Sequence, residues 1–397
     1  MRGIAELSGG VEDNSLFFQA VSQHVQIESV SAELARDSED KTIMASTKKN
    51  ETAAAAQQLS SLTLGESAER RGEPENNEDA ETNGTPTKLC SACGEKSDKL
   101  MKCRPCKCVW YCDKDCQNRH WKEHKKECRR IKKGLEKRGG NLDVGTEEDL
   151  GPLPDLPPRE ECPICMRALP LHGKLQFYAV CCGKSLCYGC DLQHEMKSGD
   201  GVRTCAFCRT APPDSDEEMV ARLRKRVDLN DPRAMNNLSP LYGFGQHGLP
   251  VDQARCIDLL RQSAGLGYPG AQFQLASYHR FGEMGLKEDQ KEALKYLEKA
   301  AEGGDVLAWH NLGCIEANDN GNIVAAMRHF RMSASGGYRT SMECLIECFE
   351  KGFLQHRDLA EILQAMYLAR DEMRSKDRDD FIKHLKMTGE YQAEYEL

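Results

Sequence analysis

Sixteen of the 20 cysteines lie between Cys90 and Cys208, most of them in pairs. Cys90/Cys93, Cys103/Cys106, Cys162/Cys165, Cys187/Cys190 and Cys205/Cys208 each enclose two residues, and Cys112/Cys116 enclose three. A two-residue gap lets one tight turn aim both thiolates at a single ion, and tetrahedral zinc takes four N or S donors. Imidazoles stand nearby. His124 and Cys128 are four apart, which on a helix places both on one face, and His194 follows Cys190 by the same interval. Such clustering argues against a dispersed disulfide framework. The four remaining cysteines, Cys256, Cys314, Cys344 and Cys348, lie in helix-forming sequence and read as buried small hydrophobes.

The elements that must carry these residues differ along the 397-residue chain, long enough for two or three folded units. Residues 1–87 hold 16 acidic against 7 basic side chains, residues 88–140 hold 7 against 17, and the remainder 40 against 30, so the whole-chain charge of -9 describes no single part. The first 87 residues, acidic and poor in aromatics, read as a disordered acidic tail, with Leu16–Val30 the one stretch able to form a short helix. No apolar run reaches the roughly 20 residues of a membrane span, and acidic residues come early (Glu6, Glu12, Asp13). A soluble chain without a secretory signal is expected, cytoplasmic and/or nuclear, where clustered thiols serve as metal ligands. Residues 139–158, with Gly139-Gly140, an acidic patch and Pro152, Pro154, Pro157 and Pro158, read as a flexible linker between two cysteine-rich modules.

From residue 214 to 397 the sequence turns helical and repeats. Leu238, Leu275, Leu312 and Leu345 are offset by 37, 37 and 33, offsets shared by Ala234, Ala271, Ala308 and Ser341. Gly267, Gly304 and Gly337 also share them, each three residues after an alanine (Ala264, Ala301, Ala334), where a helix should end on a left-handed glycine. Each unit reads as two antiparallel helices. The stretch 231–370 resembles the Sel-one-like branch of the tetratricopeptide superfamily, which implies an all-α solenoid of antiparallel helix pairs with a groove for a protein or peptide. Departures are visible. Pro240 should kink or shorten the first helix, Asp319 replaces a family glycine matched by Gly245 and Gly282, and Asp377–Leu385 is expected to form a C-terminal cap.

Residues 88–138 resemble a MYND-type zinc finger, most specifically in Tyr111-Cys112, Cys116-Gln117, His120-Trp121, His124-Lys125 and Cys128. The resemblance implies two interleaved sites, Cys90, Cys93, Cys112 and Cys116 on one zinc and Cys103, Cys106, His124 and Cys128 on the other. His120 competes for the helical position, and Cys108 is left over as a packed or half-exposed thiol. MYND fingers are similar in taking short proline-containing peptides. Nine basic residues between Lys122 and Arg138 raise nucleic acid as a partner, but no aromatic stacking platform or base-reading helix accompanies them, and an acidic partner, including this chain's own tail, fits as well. MYND fingers also accompany lysine methyltransferases, whose Asn-His-Ser-Cys element is absent here.

Residues 159–213 resemble a variant RING-type zinc finger, again a small zinc-stabilised α+β module. Its cross-brace implies Cys162, Cys165, Cys187 and Cys190 on one ion and Cys205 and Cys208 on another. The fourth ligand of the pattern is replaced by Lys184, which cannot coordinate when protonated. The second site is expected to close with Cys182 or Cys181 together with His194, or with both cysteines; His172 reads as an ordinary loop residue. Four zinc ions per chain are expected in all. Ile164 and Arg209 match positions that contact a ubiquitin-conjugating enzyme and ubiquitin in active members, whereas Ala206 stands where a proline is usual. Two functions follow from the resemblances: an interaction scaffold recruiting partners through the finger and the repeats, and a RING-type ubiquitin ligase, which needs no covalent catalytic residue.

Overall fold

The computed structural model describes residues 89–97, 99–137, 139, 150–171, 175–197, 204–389 and 391. The acidic tail at 1–87, the helix considered at Leu16–Val30, Arg138, His172 and the first part of the linker lie outside them.

Both cysteine-rich modules are built alike, as a short hairpin followed by a helix. In the first, β1 (Met101–Lys102) pairs antiparallel with β2 (Trp110–Tyr111), and α1 (Lys114–Lys137) follows. Asp113 caps α1 by accepting the Cys116 N–H at 2.8 Å. In the second, β3 (Gln176–Ala179) pairs with β4 (Lys184–Cys187), Gln176 opposite Cys187, and α2 (Tyr188–Lys197) follows.

Everything after that is helical: α3 (Asp216–Asp228), α4 (Pro232–Phe244), α5 (Gln253–Gly265), α6 (Pro269–Phe281), α7 (Gln290–Glu302), α8 (Val306–Asn318), α9 (Ile323–Ser335), α10 (Arg339–Lys351), α11 (His356–Glu372) and α12 (Lys376–Thr388). The helices α4/α5, α6/α7 and α8/α9 pack as pairs, and each pair stacks on the next. Asp231, Asp252, Asp289, Asp305 and Asn322 cap the starts of α4, α5, α7, α8 and α9. Gly267, Gly304 and Gly337 take left-handed φ of 85°, 93° and 98°, and each donates its N–H to the alanine three residues back. Leu275, Leu312 and Leu345 are buried in the seams.

Pro240 neither shortens nor ends α4, which has the same 13 residues as its counterparts. The carbonyl that Pro240 leaves without an amide partner is that of Asn236, and the Ser239 hydroxyl donates to it at 2.9 Å. Asp319 ends α8 in right-handed conformation, whereas in the fourth unit Gly352 restores the left-handed cap.

The modules do not hang from the solenoid; they are packed into it. One continuous apolar core joins Val109, Tyr111, Ile131 and Leu135 of the first module to Phe330, Phe349, Leu363 and Tyr367 of the repeats. Helix α1 lies on α10 so closely that a Cβ at Gly134 would come within 3.0 Å of the Phe349 ring. The second module touches both ends of the helical array. On the α3–α4 side, the Tyr178 hydroxyl donates to Asp231 at 2.5 Å, and Arg233 donates to Ser185 and Gln176 at 2.6 and 2.9 Å. On the other side α12 packs on α2, with Phe381 stacked on Tyr188 at 5.3 Å. Helix α12 therefore seats the second module as well as ending the repeats.

The tightest point of that seat is Gly189, where a Cβ would lie 2.7 Å from the backbone of Asp377 and Arg378. Gly189→Ala should therefore destabilise the chain by about 1–3 kcal/mol through overpacking. Gly265→Ala, with open space around it, should be neutral or slightly stabilising in a helix. Urea unfolding midpoints check both; equal midpoints would mean that α2 and α12 do not meet this closely.

Candidate metal centres

Four Cys-x-x-Cys turns share one backbone plan. In each, the residue after the second cysteine donates its N–H to the carbonyl of the first at 2.8–2.9 Å: Gly94 to Cys90, Lys107 to Cys103, Met166 to Cys162 and Arg209 to Cys205. All four donors are left-handed, with φ of 74°, 58°, 54° and 62°. The first cysteine's own N–H is held by a carbonyl farther on, Glu95, Val109, Arg167 or Thr210. The turn thereby closes on itself and points both sulfurs to one side.

These turns and the helices converge on four donor tetrads, in each of which all ligand atoms lie within 4.8 Å of one another: Cys90, Cys93, Cys112, Cys116; Cys103, Cys106, His124, Cys128; Cys162, Cys165, Cys187, Cys190; and Cys181, Cys182, Cys205, Cys208. Within each module the two tetrads alternate along the chain, pair by pair. Sulfur–sulfur separations are 3.3 Å for Cys181–Cys208, 3.5 Å for Cys93–Cys112, 3.8 Å for Cys103–Cys128, 3.9 Å for Cys165–Cys187 and 4.0 Å for Cys182–Cys205. A tetrahedral ion with Zn–S of about 2.3 Å has sulfur–sulfur edges of about 3.8 Å, far from the roughly 2.05 Å of a disulfide. The donor sets thus fit zinc in both chemistry and spacing.

Within two of the tetrads the crowded thiols hold their protons unequally. Hydrogen bonding from Cys106 and Cys128 holds Cys103 well below the ordinary thiol range, and Cys103 in turn pushes both neighbours up. Cys162 is likewise lowered by Cys187 and Cys190, while those two are raised. Neighbouring thiolates disfavour one another, and a bound dication would offset that repulsion.

His124 occupies the helical ligand position. It is fully buried, with Nε2 3.2 Å from Cys106 Sγ and Nδ1 3.2 Å from the Tyr367 hydroxyl on α11. An outer partner of this kind fixes the ring of a ligating histidine. His120 lies one turn earlier and takes no part. Its Nδ1 is 3.1 Å from the Tyr111 hydroxyl, and burial, then the neighbouring His124, lowers its pKa to about 3. Cys108 is buried rather than half-exposed, with Sγ 3.1 Å from His356 Nε2 on α11.

The second module corrects one expectation. His194 is not brought to the fourth tetrad; its place is taken by Cys181, so both adjacent cysteines point in. The cause is the β3–β4 turn, in which Cys182 and Gly183 both donate to the Ala179 carbonyl and Gly183 is left-handed at 70°. This turn delivers two thiols at once. His194 sits a helical turn, about 6 Å, beyond Cys190, where Nε2 meets Thr204 Oγ1 at 3.0 Å and the ring meets the Arg209 guanidinium at 2.6 Å. Lys184 takes no ligand position; its ammonium lies 5.9 Å over the Phe207 ring.

Cys256, Cys314, Cys344 and Cys348 are buried, and burial raises all four thiols, Cys256 to about 11. Ile164 and Phe207, the third residues of their turns, are exposed at 41% and 43%. Trp121 on α1 is also exposed. On the basic face of α1, Lys126 and Arg130 pair with Glu343 and Glu350 of α10, whereas Lys122, Lys125, Arg129 and Lys133 remain exposed.

Residues 90–128 match the family profile of the MYND finger. The first module is a MYND finger. Residues 232–268 and 269–305, which span α4/α5 and α6/α7, match the Sel1 repeat. Among curated proteins, the chain is 44% identical over 45 residues to mouse "Histone-lysine N-methyltransferase Smyd1", and 42% over 45 residues to "SET domain and MYND-type zinc finger protein 6" of Schizosaccharomyces pombe. Each match takes in 11% of this chain and 9% of the relative, little more than the length of the MYND finger. Among solved structures, a Sel1 repeat protein from Oxalobacter formigenes is 27% identical, with 32% of this chain and 97% of that one covered and a TM-score of 0.29. The uropathogenic Escherichia coli antigen c5321 is 20% identical, with 52% and 42% covered and a TM-score of 0.34.

Native mass spectrometry of the full chain should find four zinc ions. Cys181→Ser should lower the count to three or weaken one site, and His194→Ala should leave it at four. The reverse pattern would return His194 to the ligand set.

Proposed function

We propose that the chain is a zinc-stabilised scaffold that recruits proteins through its MYND finger and its helical repeats, in the reducing environment of the cytoplasm or nucleus. The observation that carries this reading is that every donor tetrad is complete. Zinc sites that do chemistry keep one position open for water or substrate, and sites closed by four protein ligands are structural. With the ions assigned to folding, function falls to surfaces, and both the MYND finger and the Sel1 repeat are protein-interaction modules. The finger's exposed Trp121 offers an aromatic side chain of the kind on which short proline-containing peptides dock. The salt bridges of Lys126 and Arg130 to α10 leave less of the basic face for nucleic acid, and protein is the favoured partner.

A proline-rich peptide library displayed against the zinc-loaded full chain should enrich a related set of sequences. Their affinity should fall at least tenfold on Trp121→Ala, with the zinc content unchanged. Failure to enrich any peptide would remove the finger from the recruiting role.

A second reading rests on the exposed apolar residues of the second module. Ile164 and Phe207 stand on the two Cys-x-x-Cys turns that belong to different tetrads, the arrangement by which a RING-type ligase would contact a ubiquitin-conjugating enzyme. The alternating tetrads suit a cross-braced RING variant. Arg209, the candidate ubiquitin contact, is held by His194. In this reading the module orients a conjugating enzyme's thioester and does no covalent chemistry of its own. Autoubiquitination with purified activating enzyme and a panel of conjugating enzymes decides it: activity lost on Ile164→Ala supports the ligase, and silence across the panel leaves the scaffold alone.

A further inference from the structure

The segment Leu150–Arg159, Leu-Gly-Pro-Leu-Pro-Asp-Leu-Pro-Pro-Arg, reads from its composition as a flexible linker. In the structure it is seated on the solenoid. Arg331 of α9, 6% exposed, donates to three successive carbonyls, Leu150 at 2.5 Å, Gly151 at 3.0 Å and Pro152 at 2.6 Å. Leu150 enters the shared core and Leu153 packs against it. Leu156 lies over the α9–α10 turn, where a Cβ at Gly336 would be 3.4 Å from its methyl. Pro157 covers Gly304 of the α7–α8 turn in the same way. Arg159 closes the segment by donating to the carbonyls of Gly336 at 2.5 Å and Ala369 at 3.3 Å.

The residues turned to the solenoid are Leu150, Leu153, Leu156, Pro157 and Arg159, which apart from Pro157 fall one in every three. The chain turns at Gly151, with a left-handed φ of 68°, and past it Leu153, Leu156 and Arg159 keep the threefold spacing of an extended proline-rich chain. Pro152, Pro154 and Pro158, by contrast, face solvent. The solenoid side reads this segment largely through backbone carbonyls, taken by the Arg331 fork, and through shallow seats over glycine turns. Neither feature depends on the segment being covalently part of the chain.

We propose that this surface is a peptide-recognition site occupied in cis. Its partners would be proteins carrying an extended Leu-x-x-Leu-x-x-Leu-x-x-Arg segment with proline spacers, and Leu150–Arg159 is a built-in competitor that such a partner displaces. The proposal rests on the reading of the repeats as a recruiting module and adds to it the ligand class and its control. A tethered segment acts at an effective concentration of about millimolar. The intact chain therefore binds the same peptide in trans weakly, and weakening the tethered copy uncovers the site.

A fluorescent peptide spanning Leu150–Arg159 is titrated by anisotropy against the zinc-loaded full chain and against the full chain carrying Leu153→Ser and Leu156→Ser. Binding should be at least tenfold tighter to the double variant. It should be lost when Arg331→Lys is added, which keeps the charge but not the fork, and absent for a peptide of the same composition with the threefold spacing scrambled. Zinc content and helical circular dichroism check folding. If the double variant does not fold, Leu156→Ser alone, which keeps Leu153 packed against the core, serves instead. Equal binding to both chains, no binding to the variant, or binding that survives Arg331→Lys or scrambling overturns the proposal and makes the segment a permanent strap. Such a result leaves enrichment of peptides by the MYND finger untouched, so the two readings fail separately.

Discussion

Thiols within 4.8 Å of one another repel once ionised, and the chain gathers them into four tetrads, three all-cysteine and one with His124 as its fourth donor. Each cluster needs a dication to exist as an ordered site, and each ion can contribute about 10–16 kcal/mol of apparent folding free energy. Because the tetrads alternate along the chain, neither site of a module can form without most of the other. Hairpins of two and four residues per strand would not persist alone. Metal binding therefore sets whether each module has a shape, and the shape of the second module decides more than itself. It contacts α3–α4 through Tyr178 and Ser185 and α12 through Tyr188 and Gly189, so it ties together two helices at opposite ends of the repeat array.

The ion also explains the backbone of the turns. A left-handed residue other than glycine costs about 1–2 kcal/mol, yet Lys107, Met166 and Arg209 adopt it at three of the four Cys-x-x-Cys turns. The closing N–H to carbonyl bond requires that conformation, and the coordination energy is several times larger than the cost. At Arg209 the backbone and the side chain serve different contacts. Its backbone completes the Cys205 turn while its side chain lies against His194, the imidazole that sequence spacing assigned to the metal.

What could be read from the sequence was local. The two-residue gaps, the offsets of 37 and 33, and the alanine-to-glycine steps are short-range patterns that mark metal donors, helix pairs and left-handed caps, while the sorting of donors into tetrads is what the finger resemblances imply. His194 escaped because a four-residue interval says which face of a helix a side chain shares with Cys190, not which end of that face meets the second ion. The β3–β4 turn decided the matter, and nothing in Cys181-Cys182 alone reveals that both sulfurs turn the same way. Pro240 was read as a breaker because its cost is local, whereas its remedy, the Ser239 hydroxyl on the Asn236 carbonyl, is a side-chain choice. The described end of the linker, residues 150–158, shows the same limit. Proline and glycine do report an extended chain without helix or strand, but an extended chain is also what Arg331, 180 residues away, can hold by its carbonyls.

Long-range packing then changes what the parts can do together. The finger shares its core with α9, α10 and α11, and Lys126, Arg130 and Glu127 of α1 are matched by Glu343, Glu350 and Arg339 of α10. Exposed pairs such as Lys126–Glu343 contribute little individually, and the orientation is set by Phe349 against Gly134 and by Tyr367 against His120 and His124. Trp121 on the finger and Ile164 and Phe207 on the second module are therefore presented by one packed body. A partner that engages two of these surfaces loses little orientational freedom at the second contact, since the protein has already fixed their geometry, and its second binding step is effectively intramolecular. For a scaffold this rigidity is the useful property: modest affinities at separate surfaces combine without any new contact having to form.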